Sequence, residues 1–278
     1  MRKRHVMHTE LPRTVLVHGD GAFLHLLADR SADMVLTSPP YFDEASTGPL
    51  LEERVYRQTQ APIVRQQLAE FAQSLTPVFN EAVRVLRPGG VLALQTKDIR
   101  YGGFLLSLAE THRQLIEAQG LCLLTRVGWR KFSYRLRRSA SFQKTQAVGS
   151  FLADETEDFL VFTHPCGLRQ REGDRVAITA EEAHCWSSPL WKSPGAGGAA
   201  THPHQAPSEP IRRLIQLYTL PGDLVVDPFS GHATTLIEAA RLGRCSVGYE
   251  RDEARAHAAQ AKIERLRERD LRKKRRGQ

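Results

Sequence analysis

Along this chain, runs of Val, Leu, Ile and Ala too continuous for a sheet with one wet face alternate with segments whose apolar residues recur every three or four positions. The strand-like runs are TVLVHGD (14–20), ADMVLTS (32–38), VLALQTKD (91–98), LCLLTRVGW (121–129), EDFLVFTH (157–164), LVVDPFSG (224–231) and RCSVGYE (244–250). Between them, the stretch 66–86 puts Leu68, Phe71, Leu75, Val78, Phe79, Ala82, Val83 and Leu86 on one helical face and is expected to stop at Pro88-Gly89-Gly90. Helices are also expected over about 104–119, over 207–220 up to Pro221-Gly222, and over 232–242 up to Gly243. Strands that are apolar on both faces need cover on both faces, and helices between consecutive strands supply it. The pattern therefore predicts a doubly wound α/β fold with a mainly parallel sheet.

At 278 residues and 41% hydrophobic, the chain can build one large core without disulfide or metal staples. Its four cysteines are scattered, and the irregular spacing of His164, Cys166, His184 and Cys185 reads as coincidence, so no metal is expected. No apolar run approaches the length that crosses a bilayer, so no membrane partner is expected and the chain reads as cytoplasmic. The net charge of +8 suits a polyanionic partner or a solvated surface. Its distribution favours the former around 130–146, where Arg130, Lys131, Arg135, Arg137, Arg138 and Lys144 interleave with Phe132, Tyr134 and Phe142, as they would on a nucleic-acid surface. The terminal RKKRR reads as a disordered, solvated end.

Two stretches break the structural pattern with chemistry. From Leu224 to Glu250 the order is strand, tight turn, helix, strand, with an acid closing the second strand. This layout offers helix N-terminal amides to one end of a nucleotide and a carboxylate to its ribose hydroxyls, although local spacing alone is equally that of an ordinary βαβ turn. The other stretch is Ser38-Pro39-Pro40-Tyr41, which ends an apolar strand. Two successive prolines fix φ twice and remove two backbone donors, leaving a rigid turn whose carbonyls are free to face a ligand.

At DPFSGHATT, Asp227 to Thr235, the chain resembles the S-adenosylmethionine-binding motif of DNA amino-methyltransferases, usually Asp-Pro-Phe-x-Gly-x-Gly-Thr-Thr, and TSPPY resembles their catalytic motif. The catalytic motif precedes the cofactor motif, the circularly permuted order called class β. The resemblance implies S-adenosyl-L-methionine as cofactor, held by Asp20, Asp227, Pro228, Phe229, Ser230, Gly231, Ala233, Thr234 and Glu250, with His202 and Pro203 of a closing segment. It implies catalysis by Ser38, Pro39, Pro40 and Tyr41 on a base flipped out of double-stranded DNA. Ser38 in place of the Asp common in adenine-N6 enzymes is similar to the cytosine-N4 subgroup. Adenine N6 stands as the alternative, and a basic nucleic-acid-binding protein with a vestigial fold as a second. Ala233 departs from the usual glycine, which narrows the backbone freedom of the turn.

The expected organisation is a catalytic half over 12–164, a target-recognition insert over 165–200, a cofactor-binding half over 201–262 and a basic tail over 263–278. A homodimer and a cognate restriction endonuclease are the remaining partners the resemblance raises.

Overall fold

The computed structural model describes residues 13–40, 42, 61–101, 104–131, 156–169, 178–193 and 208–276. Eight strands in it form one sheet: β1 (Thr14–His18), β2 (Ala32–Thr37), β3 (Leu86–Thr96), β6 (Cys122–Lys131), β7 (Thr156–Thr163), β8 (Leu190–Ser193), β9 (Leu224–Asp227) and β10 (Cys245–Glu250). Their order across the sheet is β1-β10-β9-β2-β3-β7-β6-β8. From β1 to β3 every neighbouring pair is parallel, and β7 alone runs antiparallel to both its neighbours, β3 and β6.

The helices are α1 (Ala61–Val85), α2 (Leu108–Glu117), α3 (Ala180–Trp186), α4 (Ser208–Tyr218), α5 (Thr234–Arg241) and α6 (Glu253–Arg276). They divide the apolar side chains between two faces by simple alternation. In β3, Leu92 and Leu94 join the cluster built with Phe71, Leu75 and Phe79 of α1 and Ile116 of α2. Val91 and Ala93 join the opposite cluster, with Ile211, Leu214 and Ile215 of α4 and Ala239 of α5. A third cluster seats Ala259 and Ile263 of α6 against Leu236 of α5.

Three expectations need correction. The helix placed at 104–119 starts at Leu108, because 104–106 is β5 (Phe104–Leu106), hairpin partner of β4 (Ile99–Tyr101). Ser107 caps that helix by accepting from the Glu110 amide, and Asp98 accepts from the Ala109 amide. Pro88-Gly89-Gly90 does not precede the next strand but lies inside it, since Leu86 already pairs with Ala32. Finally, the tail is not a disordered end: α6 continues to Arg276. Ile263 is buried, Arg267 donates to the Thr14 carbonyl, and Gln260 with Glu264 and Arg272 with Glu268 form i,i+4 pairs that support the helix.

Within the segment 165–200, the described part is tied to the sheet: β8 extends it beside β6, and Trp191 is buried with its indole donating to the Trp186 carbonyl. The guanidinium of Arg213 lies over both rings, at 5.7 Å from Trp186 and 5.3 Å from Trp191.

Candidate functional site

The chain winds outward in both directions from the β9/β2 pair. After β9 it passes through α5 to β10 on one side, and after β2 through α1 to β3 on the other. A sheet that reverses its winding between two neighbours opens a crevice at their carboxyl ends, where ligands of such folds bind. A cavity of about 620 Å³ lies there. It is lined by Ser38, Pro39 and Pro40 from the end of β2, and by Asp227, Pro228, Phe229, Ser230, Gly231 and Thr234 from the turn after β9. Asp20 and Phe23 beyond β1, and Glu250 at the end of β10, line it as well.

Thr37 joins the two halves. Its hydroxyl donates to Asp227 Oδ1 at 2.6 Å, across 190 residues of sequence, and the Phe229 amide donates to the same oxygen at 3.1 Å. Burial pushes the Asp227 carboxyl up to about 6; the bonds from Thr37, Thr235 and the Phe229 amide act against that, while the nearby Glu250 adds to it. The turn is further fixed by Ser230, whose hydroxyl donates to the Asp227 carbonyl and whose amide donates to the Tyr249 carbonyl. Glu250 accepts from the Gly231 amide at 2.9 Å and from the Asp252 amide at 2.8 Å. Asp20 accepts from the Ala22 amide.

Two glycines let these pieces approach. A Cβ on Gly248 of β10 would fall 1.9 Å from the Ser230 hydroxyl oxygen, and one on Gly21 would fall 2.3 Å from the Pro228 carbonyl oxygen. Ala233, beside this turn, is fully buried and holds φ 61 and ψ 28, the left-handed conformation that glycine adopts without strain.

Of the residues singled out from the sequence, Ser38, Pro39, Pro40, Asp20, Asp227, Pro228, Phe229, Ser230, Gly231, Thr234 and Glu250 meet around this one cavity. Ala233 lies behind it in the core. Arg130 is exposed near the end of β6, and Lys131 is that strand's last residue. Tyr41, Arg135, Arg137, Arg138, Lys144, His202 and Pro203 lie outside the described residues. Sequence reading passed over Thr37, Gly248 and Gln95. A polar residue at the buried end of an apolar strand was the available signal for Thr37 and Gln95; that for Gly248 was a lone glycine within strand-like sequence.

The sheet, the cradled turn and the cavity at the winding reversal define an α/β protein of the class that binds a nucleotide-like ligand at the carboxyl ends of its strands. The comparisons with known proteins narrow this further. The family model for N6 and N4 DNA methylases matches residues 32–261, and the chain belongs to that family.

M.MjaI, a Type II methyltransferase of Methanocaldococcus jannaschii, is 28% identical over 280 residues, which covers 89% of this chain and 90% of that protein. M.MthZI, a Type II methyltransferase of Methanothermobacter thermautotrophicus, is 29% identical over 263 residues, 84% of this chain and 71% of that one. A crystal structure from Thermus thermophilus, described as a putative DNA modification methylase complexed with S-adenosyl-L-methionine, superposes with a TM-score of 0.68 at 26% identity, over 92% of this chain and 94% of that one. The cytosine-N4-specific PvuII DNA methyltransferase shares the fold, with a TM-score of 0.68 at 17% identity over 90% and 88% of the two chains. The protein is thus an S-adenosylmethionine-dependent DNA methyltransferase.

Proposed function

We propose that the protein methylates the exocyclic N4 amine of cytosine in duplex DNA, with the base flipped into the cavity between β2 and the turn after β9. The observation that carries this reading is the meeting of Ser38-Pro39-Pro40 and the Asp227–Gly231 turn around one cavity, joined by the Thr37–Asp227 hydrogen bond. Ser38 at the first motif position favours cytosine over adenine, since its hydroxyl can accept from an amine or donate to the neighbouring ring nitrogen, whereas an ionised Asp can only accept.

The lining fits the cofactor. Asp20 and Glu250 bring two carboxylates to the cavity as acceptors for amine and hydroxyl donors, Phe23 and Phe229 bring apolar rings for a nucleobase face, and about 620 Å³ leaves room for cofactor and one base together. In the proposed assignment, Asp20 takes the adenine amine, Glu250 the ribose hydroxyls, and the turn from Asp227 to Thr234 the rest, with His202 and Pro203 closing over it. The cofactor supplies an electrophilic methyl group on a sulfonium.

The chain's task is to make a poor nucleophile attack it. The lone pair of an exocyclic amine is delocalised into the ring, and acceptors aimed at its two N–H groups favour a more tetrahedral nitrogen whose lone pair points at the methyl. The Ser38 hydroxyl and the Pro39 carbonyl are those acceptors, held still by the two fixed prolines, and Tyr41 stacks on the base. Arg130, Lys131, Arg135, Arg137, Arg138 and Lys144 hold the DNA phosphates. The Type II relatives suggest a cognate restriction endonuclease as partner.

The test is incubation with labelled S-adenosylmethionine and mixed-sequence duplex DNA, followed by digestion to nucleosides. Label in N4-methylcytosine is expected. N6-methyladenine as sole product refutes the choice of base, and unlabelled DNA refutes the activity.

A further inference from the structure

Gln95 stands next to the catalytic turn. In the parallel pairing of β2 and β3, Thr37 is opposite Leu94, so the chain leaves β2 at Ser38 beside Gln95, the next-to-last residue of β3. Two residues on from Ala93, Gln95 continues the face that packs toward α4, is 4% exposed and lines the cavity. Its amide nitrogen donates at 2.5 Å to Glu157, a buried carboxylate on β7. A carboxylate only accepts, so this bond settles which end of the Gln95 amide is which. The nitrogen faces Glu157, and Oε1 is left buried without a hydrogen-bond partner among the described residues. Orphaned acceptors of this kind are uncommon in folded interiors, and one lining a ligand cavity points to a donor that arrives with the ligand.

We infer that Gln95 is a further binding residue for the target base, its Oε1 accepting an N–H of the exocyclic amine beside Ser38 and Pro39, and that Glu157 is a positioning residue that keeps the amide turned so. The inference rests on the reading of this protein as a methylase of exocyclic amines. It holds for either base, because cytosine N4 and adenine N6 both present an N–H donor. With Gln95 added, three acceptors face an amine with two N–H groups, and Ser38 is released to donate to the adjacent ring nitrogen.

The experiment compares full-length variants in single-turnover methyl transfer, on a duplex that the wild type methylates, alongside calorimetric titration with S-adenosylmethionine and thermal unfolding. Gln95→Leu keeps the volume and removes the acceptor. Gln95→Leu/Glu157→Met removes the amide and the carboxylate that orients it together, which protects the test should the single variant fold poorly. Both are expected to lose about 10²-fold in the transfer rate, the usual scale for one preorganised polar contact, with cofactor affinity within about threefold of wild type. In the exchange variant Gln95→Glu/Glu157→Gln, the new amide donates to the new carboxylate, whose second oxygen again faces the cavity. It is expected to recover the rate to within about tenfold of wild type.

A Gln95→Leu or double variant that transfers within threefold of wild type overturns the inference, and so does an exchange variant no faster than Gln95→Leu. Failure of the wild type itself to form any N-methylated base overturns the underlying reading instead, and nucleoside analysis of the wild-type product distinguishes the two.

Discussion

Ala233 holds a conformation that costs an L-residue about 1–2 kcal/mol, because its Cβ crowds the following carbonyl. Replacing it with glycine relieves that cost. The same replacement loses a buried methyl, worth about 0.8 kcal/mol, and adds about 0.5–1 kcal/mol of backbone entropy to the unfolded chain. The two sides nearly cancel, so Ala233→Gly is expected to change stability by less than about 1 kcal/mol, although the residue is fully buried. Ala239 is the control, equally buried but inside α5 with ordinary helical geometry. There Ala→Gly loses the methyl and about 1 kcal/mol of helix propensity, close to 2 kcal/mol in all. At about 2–4 °C per kcal/mol for a chain of this size, Ala239→Gly should lower Tm by about 4–8 °C and Ala233→Gly by less than half as much. Differential scanning calorimetry on both variants decides it. If Ala233→Gly costs as much as Ala239→Gly, the turn is unstrained and the reasoning fails.

Further outcomes follow from the same site. A Gly248→Ala side chain would meet Ser230 and Leu236, so it should weaken cofactor binding more than tenfold in calorimetry, and Gly248→Ala/Ser230→Ala should recover part of the loss. Pro39→Ala and Tyr41→Ala should lower kcat by about 10²-fold or more with cofactor affinity within about threefold; equal loss of cofactor binding would mean the two half-sites are wrongly assigned.

Stability should also carry two opposed pH dependences. Asp227, raised to about 6, holds its proton more tightly in the folded state, so its contribution is complete below about pH 4 and is lost as pH rises through 6. His112, whose pKa burial lowers to about 4, contributes above pH 6.5 and loses that contribution as pH falls through 4. Each is on the order of 3 kcal/mol, so they offset each other between pH 4 and 6.5. Urea midpoints should therefore fall more steeply toward pH 4 in Asp227→Asn than in wild type, and less steeply in His112→Gln. Parallel profiles for all three proteins refute the assignment.

The sheet was legible in the sequence because strands buried on both faces leave unbroken apolar runs, and because Pro221-Gly222 and Gly243 mark where α4 and α5 give way to strand. The β4/β5 hairpin was hidden, since Phe104, Leu105 and Leu106 continue the apolar spacing of α2 and only their cross-strand partners make them strand. β8 was hidden for a similar reason: four residues among Ser, Pro and Gly carry no period, and Trp191 is placed by β6 and Arg213. In the site, residues carried by local motifs could be read. Thr37 with Asp227 and Gln95 with Glu157 could not, because those contacts depend on strand order and register across 190 and 62 residues of sequence.

That dependence on register also means that the order of the two motifs along the chain does not decide whether they meet. The parts that must meet are the ends of β2 and β9, and these strands are hydrogen-bonded neighbours, with Val35 opposite Val226. Neither needs to follow the other in sequence. In the proposed assignment the catalytic turn follows β2, and the cofactor turn lies between β9 and α5. Alignment then falls to the sheet hydrogen bonds, to the Leu224 amide donating to the Asp33 carboxylate where both strands begin, and, at the cavity, to the bond from Thr37 to Asp227. Breaking that bond with Thr37→Val, which keeps shape and burial, leaves both half-sites formed but removes the link that sets their spacing. Transfer rate should therefore drop more than cofactor affinity, and an unchanged rate would show that the remaining bonds between β2 and β9 hold the register without it.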